Sequence, residues 1–236
     1  MPGLEYQRVL IKLSGEAIGG ADGGIKPGRL RLVVDEVRSL RKLGAEVAIV
    51  VGAGNIWRKR THGQGLAPAT ADYLGLLATV MNGLALKDAL RQARLPVRLQ
   101  SAVALGLPGV ESLDAVVARG SLRRRQVVIF AGGTGKPFFT TDTAAAQRAR
   151  DIRAELIIKA GPVDGVYTAD PNRFPRAQKY HQLTLAQAIK AKLQVMDKQA
   201  FNICRQYNIP VIVCRWQKGV LAKVVQGKII GTLVKP

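Results

Sequence analysis

Four stretches set small residues, a cation or a carboxylate directly behind apolar runs. They are "IKLSGEA" with Lys12 to Gly15, "VVGAGN" with Gly52 to Asn55, "IFAGGTGKPFFTTD" with Gly132 to Asp142, and "LIIKAGPVDG" with Lys159 to Gly165. Glycine turns let backbone N–H groups close on an anion, and lysines neutralise it, so these residues suit the gripping of phosphates. None is a Walker loop. The Gly135-Lys136 pair has Phe130 where that loop needs its first glycine, and Pro137 where it needs a hydroxyl for magnesium. Thr140-Thr141-Asp142 and the run Ala144-Ala145-Ala146 instead read as a helix N-terminus, whose free N–H groups favour an anion.

Those residues need elements to aim them. Short β-branched runs at 8–13, 46–51, 97–102, 126–131, 155–160 and 210–214 read as strands. Helical patterns lie at 27–43, 68–94, 111–121, 141–153, 184–191 and 197–208, with Asp197 as an N-cap. The stretch "GKIIGTLV" adds a late hairpin strand. Alternation of strands and helices argues for an α/β fold, a mainly parallel central sheet with helices on both faces. No Pro- or Ser-rich linker or repeat interrupts it, so one continuous domain over residues 1–236 is expected. In such sheets ligands collect at the carboxyl ends of the strands, where the glycine turns fall.

Composition narrows the classes. Hydrophobic residues make up 47% and aromatics 5%, an aliphatic core of the kind parallel sheets use. Cys204 and Cys214 form no CxxC, and His62 and His181 stand apart, which argues against a disulfide framework or a zinc site. Glu5, Arg8 and Lys12 interrupt the first apolar stretch, so no signal-peptide core is read there, and a cytoplasmic protein is the expectation. The net charge of +20 attracts anionic substrates, nucleic acid and membranes alike. Its densest cluster, "RGSLRRRQ", closes a helix, where cations are favourable, and aromatics are too few for a stacking platform. No membrane and no specific nucleic-acid partner is expected.

The stretches "IKLSGEA", "VVGAGNIWR", "DYLGLLATVMNGLALKDAL", "AGGTGKPFFTTDTAAA", "VDGVYTADP" and "VMD" follow one another in this order. Through them the chain, from about residue 7 onward, resembles the uridylate kinase branch of the amino acid kinase family. The resemblance implies a three-layer α/β/α sandwich and transfer of the γ-phosphoryl of ATP to UMP, with Mg²⁺ bound through the ATP phosphates and no separate protein metal site. It also implies a homohexamer, with GTP as a possible activator. Lys12 and Asp142 take the catalytic positions: Lys12 bridges donor and transferred phosphates, and Asp142 organises the cations. Gly52, Ala53, Arg58, Asp72 and the run Thr134, Gly135, Lys136, Pro137, Phe138, Phe139, Thr140 and Thr141 match the UMP side. Asp72 would take the ribose hydroxyls. Lys12, Leu13, Ser14, Gly15, Gly54, Arg58, Gly161, Tyr167 and Asp170 match the ATP side.

Plainer readings stand beside these. Lys12 could be a solvated strand-end lysine, Arg58, Lys59 and Arg60 surface charge, and Asp72 and Asp142 ordinary helix N-terminal acids. Phe138 and Phe139 read as core residues before stacking partners, and "VDG" and "ADP" as turn punctuation. The chain also departs from the family pattern. Ala53 interrupts a glycine triplet, and its methyl narrows the phosphate approach unless φ is negative. Lys136 replaces an asparagine, and Gly161-Pro162 replaces a Thr-Lys pair. Lys87, Arg91 and Arg98 could meet an effector anion, with Gln126 where an arginine is common. These departures keep open a catalytically impaired nucleotide-binding protein, and the fold keeps open a kinase for another small acid.

Overall fold

A computed structural model describes residues 3–20, 22–171, 173–193 and 196–236. Val195 of the "VMD" motif lies outside these residues.

The chain runs β1 (Arg8–Leu13), α1 (Glu16–Gly19), α2 (Pro27–Leu43), β2 (Glu46–Val51), α3 (Lys59–His62) and α4 (Pro68–Gln92). It continues with β3 (Val97–Ser101), β4 (Glu111–Ser112), α5 (Ala115–Arg123), β5 (Val127–Ala131), α6 (Thr141–Ile152) and β6 (Leu156–Gly161). Then come β7 (Val166–Tyr167), β8 (Lys179–Tyr180), β9 (Gln182–Thr184), α7 (Leu185–Lys190), α8 (Lys198–Gln206), β10 (Val211–Arg215), α9 (Val220–Val225) and β11 (Thr232–Lys235).

Among the described residues nine strands form one sheet in the order β4-β3-β5-β2-β1-β6-β10-β11-β9, and β7 pairs with β8 apart from it. Every pairing in the large sheet is parallel except β10 with β11. The six residues of β2 are all buried because helices cover both faces, which is why "EVAIVV" does not alternate. One core layer joins α2, α4 and α9 to the sheet through Leu40, Leu86, Leu90 and Val224. The other joins α5, α6, α7 and α8 through Leu122, Ala145, Ile152 and Phe201. This is the three-layer sandwich expected from the alternation of elements.

Local chemistry sets the helix ends. Pro27 opens α2, its apolar residues at three-to-four spacing face the sheet, and Gly44 at φ +98° closes it. The segment expected to be helical from residue 111 differs. Asp114 accepts hydrogen bonds from the Val116 and Val117 N–H groups, so the helix begins at Ala115. Glu111 and Ser112 are thereby freed to pair with β3 as an edge strand. The late strand β11 does run antiparallel to β10, but α9 separates them, so the pair is no tight hairpin.

α4 is long and apolar enough to cross a membrane by length and composition alone. Its buried residues, including Val80, Leu86 and Leu90, instead belong to the core layer shared with β3 and β5. The parallel strands β1, β2, β5 and β6 all end at one rim, and their following turns meet there.

Candidate active site

Lys12 on β1 and Lys159 on β6 are direct partners across the parallel ladder. Strand alternation puts both on the sheet face covered by α6, since Leu10 and Ile157, two residues before each, lie in that core layer. Asp142, in the first turn of α6, meets both: Lys12 Nζ is 3.2 Å from Oδ1 and Lys159 Nζ is 2.7 Å from Oδ2. Three charged side chains, each only 13–22% exposed, thus share one corner. Two cations on one carboxylate leave net positive charge aimed at the rim. Burial lowers the Lys159 pKa, Asp142 opposes that, and neighbouring Lys12 adds to the lowering.

The turns after β1 and β2 touch. A Cβ on Gly15 would lie 2.6 Å from the Gly54 nitrogen and 2.3 Å from Asn55 Oδ1, so glycine is required by close approach. Ser14 and Gly15 are thereby fixed against Gly54. The Leu13 side chain belongs to the core, and only its carbonyl works at the rim, accepting the Gly52 N–H at 2.8 Å. Ala53 is absent from the residues with positive φ, so its methyl is carried without strain in the turn. Behind the turn Asn55 and Asn82 hydrogen-bond to each other, and Asn82 also donates to the Gly52 carbonyl.

The loop after β5 is shaped by Gly132, Gly133 and Gly135, all at positive φ. The Gly132 N–H donates to Thr79 Oγ1 of α4 at 2.7 Å, and Thr134 Oγ1 bridges the backbone of Lys136. Phe138, expected in the core, is 69% exposed, and Phe139 is half-buried. A φ of +68° turns Phe138 outward, its N–H donates to Asp72 Oδ2 at 2.9 Å, and the Lys59 ammonium lies 5.5 Å from its ring. Lys59 also pairs with Asp72 at 2.9 Å, so it is tied to the site rather than being plain surface charge. Asp72 and the 134–141 loop are therefore neighbours, as the sequence grouped them.

Thr140 caps α6, accepting the Asp142 and Thr143 N–H groups, and donates to Asp197. Asp197 also accepts from the Thr143 hydroxyl at 2.8 Å and from the Gln199 and Ala200 N–H groups, as the expected cap of α8. Burial pushes the Asp197 carboxyl up, but the Thr140, Thr143 and backbone hydrogen bonds outweigh it and hold the carboxyl below its ordinary value.

Two cavities open beside the end of β6. One of about 560 Å³ is lined by Ser14, Glu16, Arg29, Arg58, Gly161 and Arg215, with others. The other, about 630 Å³, is lined by Lys159, Tyr167, Asp170 and Phe174, with others. Arg58 does not point freely at the rim. Its Nε donates to the Gly54 carbonyl at 2.7 Å and its Nη2 pairs with Glu16. The basic cluster foreseen around Lys87, Arg91 and Arg98 is also rearranged. Lys87 and Arg91 line a cavity of about 500 Å³ with Arg94 and Gln126, while Arg98 pairs with Glu111 at 2.9 Å on the sheet edge.

Four parallel strands thus aim glycine turns, a lysine pair and a carboxylate at one rim, a geometry suited to nucleotide phosphates. The profile of the Amino acid kinase family matches residues 7–215. The chain belongs to the amino acid kinase family. Solved structures of this fold match it along nearly its full length. The UMP kinase from Bacillus anthracis is 35% identical, with a TM-score of 0.93, over 98% of this chain and 96% of that one. The UMP kinase from Ureaplasma parvum is 32% identical, with a TM-score of 0.89, over 99% and 100%. The uridylate kinase from Archaeoglobus fulgidus is 27% identical, with a TM-score of 0.74, over 96% and 99%.

Sequence reasoning placed Lys159 behind the fifth main strand but gave it no role of its own, and it passed over Asn82 and the link from Asp197 to Thr140. Lys159 carried a signal: "LIIKA" breaks an apolar strand with a lysine just as "VLIKL" does. Asn82 carried a weaker one, an amide inside an apolar helix, whose partner no local pattern names.

Proposed function

We propose that the protein transfers the γ-phosphoryl group of ATP to UMP, forming UDP and ADP. The observation that carries this reading is the place of Asp142. It opens α6 directly behind the 134–140 loop and binds Lys12 and Lys159, so acceptor loop and cation pair meet at one carboxylate. The two UMP kinases that match at above 30% identity support the choice of acceptor.

In this reading Ser14, Gly15, Gly54 and Gly161 offer backbone to the ATP phosphates, and Tyr167 and Asp170 hold its nucleoside. Gly52, Ala53, Asp72 and residues 134–141 hold UMP. A phosphate oxygen of UMP attacks the γ-phosphorus while the bond to the departing ADP oxygen breaks in line. A UMP phosphate is already anionic, so no general base is needed. Catalysis is alignment plus neutralisation of charge spreading over the transferred group, which Lys12 and Lys159 supply. Asp142 keeps the two ammonium groups from repelling each other and fixes their aim. Arg58, held by Glu16 and Gly54, is a cation at the edge of the donor cavity.

Mg²⁺ brought in on the ATP phosphates would supply further charge neutralisation. Among the described residues no group of three or more His, Cys, Asp or Glu could hold a metal. Asp142, whose Oδ1 is held among the described residues only by the Lys12 ammonium at 3.2 Å, is the carboxylate that would face an ion brought in on the nucleotide.

The reading extends to a single domain, a cytoplasmic setting and a homohexamer. Tyr73, Leu77 and Met81, four residues apart on α4, are exposed and apolar, a stripe suited to a second copy. GTP at the Lys87–Arg91–Arg94 cavity is the effector in the same reading, with Gln126 weakening its hold.

The deciding experiment incubates the purified protein with Mg-ATP and, separately, UMP, CMP, aspartate and acetylglutamate. UDP formation is expected. Phosphorylation of another acceptor without UDP would replace this function with that of a kinase for that acid. Nucleotide binding without turnover would make it an impaired binding protein.

A further inference from the structure

β10 ends in Arg215, which pairs in register with Gly161 on β6. Val211 and Val213 belong to the core layer under α6 and α8, so alternation sends Arg215 to the face that carries Lys12 and Lys159. The Trp216 N–H donates to the Gly161 carbonyl at 2.7 Å, which pins the two strand ends together. Gly161 brings no side chain, and a Cβ built on it meets no atom within 4 Å. The space between Arg215 and the Ser14–Gly15 turn is therefore open at β6. Arg215 lines the 560 Å³ cavity with Ser14, Arg58 and Gly161, and Val213, two residues earlier on the same face of β10, lines the neighbouring cavity. Among the described residues it has no carboxylate partner. The one acid lining its cavity, Glu16, is already paired with Arg58.

An arginine at the end of a strand that lines both cavities, with no carboxylate partner among the described residues and beside a turn that offers only backbone, suits a polyanion running from one cavity to the other. We propose that Arg215 binds the polyphosphate of the donor nucleotide, supplying from β10 the cation that the Gly161-Pro162 turn of β6 does not carry. This rests on the donor-site reading above and adds a residue to it. Guanidinium is suited to the task because its fork can meet two phosphate oxygens at once. A donor without β- and γ-phosphates would not need it.

The test measures binding of ATP, AMP and inorganic tripolyphosphate by calorimetry, without acceptor, to the parent protein and to Arg215→Gln and Arg215→Lys. Arg215→Gln should weaken ATP and tripolyphosphate about tenfold or more and leave AMP within about twofold. Arg215→Lys should recover part of the loss. In turnover assays the KM for ATP should rise while that for UMP holds. The ATP-to-AMP affinity ratio is the deciding readout, because partial misfolding would lower both affinities together. An unchanged ratio in Arg215→Gln overturns the proposal while the donor site stands. A parent protein that binds neither ATP nor tripolyphosphate overturns the donor-site reading as well.

Discussion

Asn55 and Asn82 exchange side-chain hydrogen bonds of 2.9 and 2.7 Å, and Asn82 is wholly shielded from solvent. One amide belongs to the turn after β2 and the other to the middle of α4. Asn82 also holds the Gly52 carbonyl at 2.8 Å, and Asn55 donates to the Gly24 carbonyl, so the pair clamps three segments behind the rim. A buried amide pair is stable only while every polar atom keeps a partner.

Asn82→Leu should therefore destabilise the protein by about 1–3 kcal/mol, because the Asn55 amide and the Gly52 carbonyl lose their partner in a dry place. Urea unfolding measures this. Nucleotide affinity should fall as well, since Gly15 packs on the same turn. A variant as stable as the parent would show that the clamp is incidental.

Lys12→Ala should cut turnover roughly a hundredfold or more with the fold intact, since it removes charge where the transition state develops it. Lys159 should show itself in the pH profile. Its ammonium is held below the ordinary 10.5, chiefly by burial and further by Lys12, against the pull of Asp142. Turnover should fall with rising pH before 10.5 is reached, and Lys159→Arg should carry that limb to higher pH. Folding stability has the opposite slope for this group: the unfolded chain binds the proton more tightly, so stability rises between the depressed value and 10.5. An alkaline limb that ignores Lys159→Arg would assign it to another group.

Asp72→Asn should raise the KM for UMP about tenfold while that for ATP changes less than about twofold. The carboxylate holds both Lys59 and the Phe138 N–H, and thus the shape of the 134–141 loop. Initial-rate kinetics with each substrate varied would reveal the pattern, and a larger effect on ATP would mean the pockets are exchanged.

Asp197 predicts a feature of acid unfolding. Its folded carboxyl lies below the ordinary 3.8, so its stabilising contribution is complete above that pH and is lost as pH falls through the lower folded value. Asp197→Asn keeps a cap for α8 but not the charge, and should flatten the loss of stability below pH 3.8. Melting temperatures across that range would test it; identical acid slopes would contradict the assignment.

Cys204 and Cys214 lie in opposite core layers, with the sheet between them, so they cannot pair. Burial pushes both thiols up to about 12, aided at Cys204 by Asp142 and Asp197. Neither should react with a disulfide reagent in the native protein near pH 8, and both should react once it is unfolded. Rapid labelling of the folded chain would show that a core layer opens.

Apolar spacing and local motifs were enough to give the family resemblance and the main strands and helices, but not the short elements β4, β7, β8, β9, α1, α3 and α9. The bounds of α2, β1 and β2 follow from apolar spacing, Pro27 and Gly44, all local features. Lys12 and the glycine turns were legible because each stands at the end of an apolar run, and Asp142 because it matches a position of the family motif. Strand order, register and the packing of loop on loop were decided only in the tertiary structure. They set Lys159 beside Lys12, Arg215 beside Gly161, Asn82 behind Gly52, and turned Phe138 out to solvent. The physical reason is that periodicity tells which face of an element is buried, whereas a partner across the sheet is chosen by long-range packing and hydrogen bonding that no short stretch encodes.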